Sequence, residues 1–280
     1  TDRYPVDGVD LSGEQDFEAI FSPRLGLGYY PLSRVMLFAT VSHGFSPPTL
    51  EETLNPDGTV NTDLQPERGW NFEWGLRTED LFDRLTFEFT WYRMDIRDLL
   101  VARRTAEDQF VGANAGQTRH AGIELLLNYR LSDFLGIWGA YTRANYTFEE
   151  FVDGEDDFSG NALTGQPPHQ VNAGLDLNTG FGLYSYLTYE FVDAYPVNDA
   201  NTVFNDAYHV MNLRVGYRRR LGRRIELDLY AGVNNIWDEH YAPMTQINAV
   251  GFGGRAPRYF YPGLPRNYYG GGKLRYRFGE

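Results

Sequence analysis

The sequence predicts an all-β protein, an antiparallel transmembrane β-barrel with about 11 or 12 strands present. Three observations favour this fold: apolar and polar residues alternate along many segments, short and long connections take turns, and aromatic residues cluster near the strand ends. Aromatic residues make up 16% of the 280 residues, although the mean hydropathy is negative. A chain rich in rings but poor in continuous apolar stretches suits strands with one wet side.

Alternation of period two is the first observation. In "RLTFEFTWYR" and "RIELDLYA" every second residue is apolar, and the residues between them are polar. Because successive side chains of a strand point to opposite faces, we expect Phe87, Val215 and Leu227 to point toward lipid. The pattern predicts eleven strands, at about residues 20–29, 34–43, 67–77, 84–104, 117–130, 136–148, 168–177, 183–192, 208–218, 224–236 and 268–278.

The connections form two alternating populations. Outer-membrane barrels have short turns on the periplasmic side and long loops on the outer side, whereas a soluble sandwich has no reason to sort its loops in this way. The short connections are 30–33, 78–83, 131–135, 178–182 and 219–223. The long ones are 44–65, 105–116, 149–167, 193–207 and 237–267.

Aromatic residues near the strand ends predict girdles at the membrane interfaces, where amphipathic rings settle. The alternative is that these rings lie on the sheet or in the core of a soluble β protein, such as a sugar-binding protein, which would be recovered without detergent. The residues are Tyr29, Tyr30, Trp91, Tyr92, Trp138, Trp237, Tyr241, Tyr268 and Tyr269.

Several classes are excluded by composition. No apolar run approaches the roughly 18 residues of a spanning helix, so a helical membrane protein is excluded. Zero cysteines exclude a disulfide framework and a cysteine-based metal site. A net charge of -13 argues against nucleic acid as a partner. The opening residues lack signal-peptide features, and the odd strand count favours a fragment whose earlier strands are missing over a complete small barrel.

The stretch "GVNNIWDEHY" at 232–241 resembles the signature near the end of TonB-dependent outer-membrane receptors. The matching residues are Val233, Asn235, Ile236, Trp237, Asp238 and Tyr241. Four further segments resemble the family in the same order, at 42–52, 64–77, 114–125 and 265–278, the last with its closing aromatic residue Phe278. The resemblance covers nearly the whole chain and implies a partial receptor-like β-barrel domain over 1–280. This domain is similar to the C-terminal half of a barrel of about 22 strands, without a plug domain or TonB box.

The resemblance implies a non-enzymatic receptor in the outer membrane of a Gram-negative bacterium. It takes up a scarce ligand with energy from the TonB complex, which acts through a plug domain. A ferric siderophore is the first choice of ligand; cobalamin, haem and oligosaccharide are the rivals. Outer-membrane lipid and lipopolysaccharide are further expected partners, the latter through cations held by Asp238 and Glu239, and no cofactor is expected.

A ligand site is expected in the outer loop at 251–266, where cations and rings occur together. Arginine pairs with anionic chelates, and aromatic rings stack on catechols or sugars. The alternative is a loop that only packs on its neighbours. The candidate ligand-binding residues are Arg255, Arg258, Tyr259, Phe260 and Tyr261.

Two other groups of charged residues have less specific interpretations. "DGEDD" at 153–157 offers carboxylates to calcium but lacks the spacing of an EF-hand, so a solvated acidic loop competes with a metal site, and none is assigned. A set of cations on the polar side of the last strands could face acids of a plug: Arg214, Arg218, Lys273, Arg275 and Arg277.

A small outer-membrane barrel enzyme or a porin-like channel is the alternative function. An enzyme needs a nucleophile with a histidine at the outer rim, and Asp238 with His240 is the only close pair of acid and histidine. No Gly-x-Ser-x-Gly motif accompanies the five histidines, which are His43, His120, His169, His209 and His240.

Overall fold

Eleven antiparallel strands follow one another in chain order in a single sheet. The computed structural model describes residues 16–50, 52–106, 109–251 and 253–278, and these contain no helix. The strands are β1 Arg24–Leu32, β2 Val35–Ser46, β3 Glu67–Leu81, β4 Leu85–Ala106, β5 Gln109–Arg130, β6 Leu135–Glu150, β7 His169–Asn178, β8 Leu183–Val192, β9 Tyr208–Leu221, β10 Ile225–Asn234 and β11 Asn267–Tyr276.

The strand count agrees with the sequence, but the long connection predicted at 105–116 is wrong. β4 and β5 are each 22 residues long, and their ladder continues as far as Ala106 and Gln109. Gly112 and Gly116 resemble loop residues in the sequence, but in the structure the backbone of another segment passes close to each of them. A Cβ atom would lie 2.2 Å from the carbonyl oxygen of Glu52 at Gly112, and 2.0 Å from that of Glu150 at Gly116.

The register separates the side chains into an apolar face and a polar face. Phe87 is paired with Leu127, Val215 with Ala231, and Leu227 with Leu274. Continuous pairing from β4 to β11 places these residues on one side of the sheet, which we call the apolar face. They do not belong to a buried core, and Val215 is 40% exposed. The alternation predicted from the sequence is therefore present in the fold.

The two outermost strands leave the sheet open. β1 and β11 each have only one neighbour, and every residue of β1 is exposed. An open edge presents unpaired N–H and C=O groups. The barrel is therefore not closed by the residues that the structure describes.

The short turns lie at one end of the sheet. Arg34, beside the β1–β2 turn, forms an ion pair with Asp83 of the β3–β4 turn, with 2.6 Å between Nη1 and Oδ1. This guanidinium lowers the pKa of Asp83 below its ordinary value. Asp80, Phe82 and Asp83 have positive φ angles, as a tight reversal requires.

Most of the buried apolar residues lie at the other end, in the long connections and the strand ends next to them; Tyr184, beside a short turn, is an exception. One cluster contains Val192, Tyr195, Val197, Tyr208 and Val210, and a second contains Phe148 and Phe151. Three small ladders brace these connections, and they pair Val152–Asp153 with Asp156–Asp157, Tyr195–Pro196 with Phe204–Asn205, and Met244–Thr245 with Phe260–Tyr261. The two buried clusters therefore lie in the long connections and in the strand ends next to them.

The predicted aromatic girdle divides between different surfaces. Tyr29 and Trp91 lie on the apolar face, as expected. Trp138, however, stands on the polar face over Gly174, where an added Cβ atom would be 2.4 Å from the indole ring. Tyr92 also lies on the polar face, because it donates or accepts a 2.8 Å hydrogen bond with Tyr146. Period two forces neighbouring residues such as Trp91 and Tyr92 onto opposite faces.

No helix in the described residues is long and apolar enough to cross a membrane.

Candidate functional site

The long connections enclose a cavity of about 1370 Å³. Its wall combines side chains from the outer parts of β4 and β6 with the loops that follow β6, β8 and β10. A volume above about 1,000 Å³ is sufficient for a ligand larger than most drug molecules. The lining includes Leu99, Val101, Phe148, Phe151, Phe158, Leu163, Asp153, Thr164, Asn198, Asp199, Gln246, Ile247, Asn248, Val250, Arg255 and Arg258.

Aromatic rings form one wall of this cavity. The ring centroids of Phe148 and Phe151 are 4.6 Å apart, and those of Phe151 and Phe158 are 5.6 Å apart. Phe148 and Phe151 are buried, and Leu99 and Val101 pack against them. The sequence analysis did not select these residues, because a phenylalanine in a loop has no local signature of a binding wall.

Asp199, another lining residue, holds three long loops together. Its carboxylate accepts hydrogen bonds from Asn248 Nδ2 at 2.8 Å and from Thr164 Oγ1 at 3.3 Å, and its carbonyl oxygen accepts one from Asn161. Burial is the main cause that raises the pKa of Asp199 above its ordinary value, and nearby Asp153 acts in the same direction. The sequence signal for this network is the recurrence of asparagine in these loops, at positions 161, 198, 201 and 248.

The structure separates the five candidate ligand residues. Arg255 and Arg258 line the cavity. Tyr259 packs against the buried cluster that contains Tyr208, whereas Phe260 and Tyr261 belong to a two-residue ladder and are each 46% exposed. The structure therefore brings the two arginines to the cavity and places the three rings elsewhere.

The acidic run forms a small hairpin. Val152–Asp153 pairs with Asp156–Asp157 around Gly154, which has a positive φ angle. Asp157 accepts a hydrogen bond from the Ser159 backbone N–H at 2.9 Å, and its pKa is lowered mainly by hydrogen bonds from Ser159. Within the described ranges no group of three or more His, Cys, Asp or Glu side chains is arranged for a metal ion, so the calcium alternative has no structural support.

Asn235 makes the hydrogen bonds that hold the segment 232–241 in place. It is 2% exposed and has a φ angle of 53°. Its Nδ2 donates to the carbonyl oxygens of Glu239 at 2.9 Å and Leu264 at 3.2 Å, and its Oδ1 accepts from the Glu239 N–H at 2.8 Å. Its own N–H donates to Asn212 Oδ1. The amide therefore ends β10 and fixes the long loop that follows.

The other residues of the segment have different positions. Trp237 packs edge-on against His209 and Tyr189 on the apolar face, and its place at the outer headgroup level stays a prediction. Tyr241 was expected at the same level but packs against Tyr208 and over Gly263 in the loop core, so that expectation is wrong. Asp238 accepts a hydrogen bond from the Arg266 N–H at 2.7 Å.

Two further family-motif residues, Val233 and Phe278, lie beside the edge strand β11 or just beyond its end. Val233 lies in β10 opposite Tyr268 of the edge strand β11. Phe278 lies beyond the end of β11, is 90% exposed and packs edge-on against Tyr276. The predicted last strand, 268–278, is therefore two residues too long at its C-terminal end.

The cations of the last strands lie on the polar face, as predicted, but most have partners there. Arg218 pairs with Asp228 at 3.0 Å, and Arg275 pairs with Glu226 at 3.3 Å. The Arg214 guanidinium lies 4.0 Å from the Tyr230 ring centroid. Tyr184 donates its hydroxyl to Asp228 at 2.7 Å, which completes a network of rings and charges.

The histidines are dispersed. His120 stacks on Tyr146, His169 on Tyr141, and His209 on Trp237. His43 contacts the carbonyl oxygen of Phe21 through Nδ1. The Asp238 carboxylate is engaged by backbone, so the acid–histidine pair of an enzyme receives no support from its surroundings.

The family model that matches this chain is described as TonB dependent receptor-like, beta-barrel, and it covers residues 1–236. The chain belongs to the TonB-dependent receptor family. Among named relatives, an uncharacterized TonB-dependent receptor from Haemophilus influenzae is 27% identical over 210 residues, which cover 68% of this chain and 56% of the relative. The metal-pseudopaline receptor CntO from Pseudomonas aeruginosa is 26% identical over 259 residues, which cover 81% and 32% respectively.

Solved receptors share the fold. The siderophore receptor PiuA from Acinetobacter baumannii has a TM-score of 0.71 at 18% identity, covering 91% of this chain and 35% of that one. The ferric-catecholate import receptor Fiu from E. coli K12 has a TM-score of 0.68 at 19% identity, covering 91% and 34%. The chain therefore spans about a third of the length of these receptors and little more than half of the Haemophilus relative. The family and these receptors are transport receptors and not enzymes.

Proposed function

We propose that this TonB-dependent receptor chain forms part of an outer-membrane barrel that takes up a scarce anionic chelate, with a ferric siderophore as the ligand. The outer membrane is proposed because the family consists of outer-membrane barrels and because the sheet has one apolar face. Energised release would require the TonB complex and a plug domain, which are properties of a whole receptor. The named relatives include a metal-pseudopaline receptor, and the similar folds include siderophore receptors.

The observation that carries the proposal is the cavity between the long loops, whose lining contains two arginines and three phenylalanine rings. Arg255 and Arg258 supply fixed positive charge, because arginine stays protonated at any physiological pH. Phe148, Phe151 and Phe158 supply apolar surface for the organic part of a chelate. A cavity that combines these features fits an anionic ligand with an apolar body.

Binding of a radiolabelled ferric tricatecholate to cells that display the protein tests the site. Charge-assisted hydrogen bonds contribute roughly 1.5 to 3 kcal/mol each, so replacing both Arg255 and Arg258 with alanine should weaken binding by at least about tenfold. The matched control is the double substitution Phe260→Ala with Tyr261→Ala, which removes rings from the same loop outside the cavity. We expect the control to bind within about twofold of the wild type.

The proposal is wrong if the arginine variant binds as tightly as the wild type, or if both double variants lose binding to the same degree. Cell fractionation separates the two parts of the proposal. A protein absent from the outer-membrane fraction would contradict the location, independently of the ligand.

A further inference from the structure

The apolar face of four neighbouring strands ends abruptly in arginines, on the side of the long loops. In β4 the apolar-face residues run from Leu85 through Phe87, Phe89 and Trp91, and the next position is Arg93. The corresponding changes occur between Trp70 and Arg68 in β3, between Ile123 and Arg119 in β5, and between Tyr141 and Arg143 in β6. We call the set Arg68, Arg93, Arg97, Arg119 and Arg143 the arginine patch.

The register brings these side chains together. Arg68 is paired with Arg97 across β3 and β4, and Arg119 is paired with Asp95 across β5 and β4. Across β5, Arg93 is level with Asn145 of β6, because both are paired with Ala121. Arg143 precedes Asn145 by two residues and therefore lies slightly closer to the short turns than Arg93 does. With strands about 4.8 Å apart, four strands form a patch roughly 15 Å wide.

Acids neutralise only part of this charge. Asp95 pairs with Arg93 at 2.9 Å and with Arg119 at 3.3 Å. Glu149 pairs with Arg119 at 3.0 Å, and Asp98 pairs with Arg68 at 3.4 Å. These side chains are between 35% and 44% exposed, so their N–H groups remain accessible.

Two members of the patch have spare capacity. Arg97 and Arg143 are exposed, and neither guanidinium makes a hydrogen bond or ion pair with any other residue in the part of the chain that the structure describes. Five arginines face Asp95, Asp98 and Glu149, and a fourth carboxylate, Glu150, lies at the border, where it accepts a hydrogen bond from Gln117 opposite Arg97. The patch keeps a formal excess of one positive charge, although the whole chain has a net charge of -13. Excess cations on an otherwise acidic protein point to an anionic partner.

The height of the patch matches a membrane interface. A tilted transmembrane strand crosses the hydrocarbon layer in about 9 to 11 residues. Counting from Leu85 at the short-turn end, that span ends close to Arg93 and Asp95. The patch therefore lies at the level of the outer lipid headgroups, provided that the long loops face outward, as the proposed function requires.

Aromatic rings adjoin the patch: Trp74 and Trp91 lie on its hydrocarbon side, and Phe72 and Trp70 lie beside it, paired with Arg93 and Asp95. Trp74 and Trp91 have centroids 6.4 Å apart, and Trp70 and Phe72 have centroids 6.3 Å apart. Trp70 and Trp74 are 43% and 52% exposed. Such rings pack against acyl chains and against sugar rings at the interface.

The arrangement is local. At the same end of β2, β7 and β8 the apolar face carries His43, His169 and Phe191 instead of arginine. From the charge excess, the exposed Arg97 and Arg143, and the adjoining rings, we propose that the arginine patch binds the phosphate groups of a phosphorylated glycolipid of the outer leaflet, of the lipid A class. The inference rests on the proposed outer-membrane location but not on the proposed ligand.

Native mass spectrometry of the purified protein in a neutral detergent tests this inference. The protein is mixed with bisphosphorylated lipid A, with the same lipid after removal of both phosphates, and with phosphatidylglycerol. The test variant is Arg97→Gln with Arg143→Gln, and the control variant is Arg219→Gln with Arg223→Gln. Arg219 lies on the apolar face near the short turns, and Arg223 lies in the β9–β10 turn, so the control removes equal charge at the opposite end.

We expect bisphosphorylated lipid A to remain bound to the wild type and the control, and its bound fraction to fall at least fivefold in the test variant. Equal retention by the test variant, equal loss in the control, or equal binding of the dephosphorylated lipid or of phosphatidylglycerol would overturn the inference. The β-sheet circular dichroism of each variant checks folding. If the test variant does not fold, the single substitution Arg97→Gln is measured, with at least a twofold loss expected. Loss of tricatecholate binding with lipid A still bound would refute only the proposed ligand.

Discussion

Replacing Asn235 with alanine should destabilise the protein far more than replacing its neighbour Asn234. Asn235 is buried, and its side chain makes three hydrogen bonds to the backbone of Glu239 and Leu264. The Asn234 side chain donates a hydrogen bond to Asn267 Oδ1 at 2.9 Å, and the residue lies within the regular ladder of β10. The two asparagines are adjacent and chemically identical, so each serves as the control for the other.

The magnitude follows from the contacts that are lost. Three hydrogen bonds at roughly 0.5 to 1.5 kcal/mol each give about 2 to 4 kcal/mol. Asn235 has a φ angle of 53°, where alanine costs about 1 kcal/mol more because of its Cβ atom. We therefore expect Asn235→Ala to lower the free energy of unfolding by about 3 to 5 kcal/mol, and Asn234→Ala by about 1 kcal/mol. Asn235→Gly should recover the conformational part only.

Urea titration of the protein folded into lipid vesicles measures these free energies. Trp237, two residues from Asn235, reports on the loop through its fluorescence. The reasoning is refuted if Asn235→Ala is no more destabilising than Asn234→Ala, because the buried hydrogen bonds would then contribute nothing beyond an ordinary ladder position. An Asn235→Gly variant as stable as the wild type would show that only the backbone conformation matters.

Three further predictions concern packing, protonation and the turns. Gly174→Ala should displace Trp138 and cost roughly 1 to 3 kcal/mol of unfolding free energy, whereas Gly139→Ala, whose Cβ would meet nothing closer than 3.7 Å, should cost less. Carboxyl NMR titration should find the pKa of Asp199 above 3.8 and that of Asp157 below it. Because its pKa is raised in the folded protein, ionised Asp199 lowers the stability at pH values above this folded-state pKa, and the penalty disappears below the pKa of the unfolded state. Because its pKa is lowered in the folded protein, Asp157 adds stability at pH values above its unfolded-state pKa. This stability is lost as the pH falls through its folded-state pKa. Arg34→Gln should raise the pKa of Asp83 in the same titration, with no measurable change in the urea midpoint, because the pair is exposed.

Local pattern predicted the strands well, because alternation is a property of neighbouring residues. β8 was predicted with its observed bounds, Leu183–Val192, since five apolar-face positions and two turn signals define it without help from elsewhere. The region around Gly112 and Asn114 failed for the opposite reason. Asn114 bonds to Gln65 N and O and to the carbonyl oxygen of Asp98, contacts that lie 49 and 16 residues away. Asn114, which looks like a turn residue in the sequence, makes hydrogen bonds to distant parts of the chain and does not form a turn.

The candidate site shows the same division. The loop 251–266 contains the two arginines of the cavity, and their residue types were sufficient to select them. The aromatic part of the same lining comes from Phe148, Phe151 and Phe158, about 100 residues earlier in the chain. Nothing in the residues around any one of these phenylalanines shows that it will line the same cavity as Arg255. The predicted rings Tyr259, Phe260 and Tyr261 were excluded from the cavity by the ladder to Met244–Thr245 and by packing on the buried cluster.

By itself, the sequence determined the eleven antiparallel strands of the described residues, with one apolar and one polar face, because period two is set by the covalent geometry of each strand. Only the tertiary structure decided which rings share a surface, how far β4 and β5 extend, and which arginines meet aromatic walls, acids or open space. Those outcomes depend on the register of the strands and on packing between loops that are distant in the sequence. The free energy of strand pairing is distributed over a whole ladder, so no single segment of the sequence reveals it.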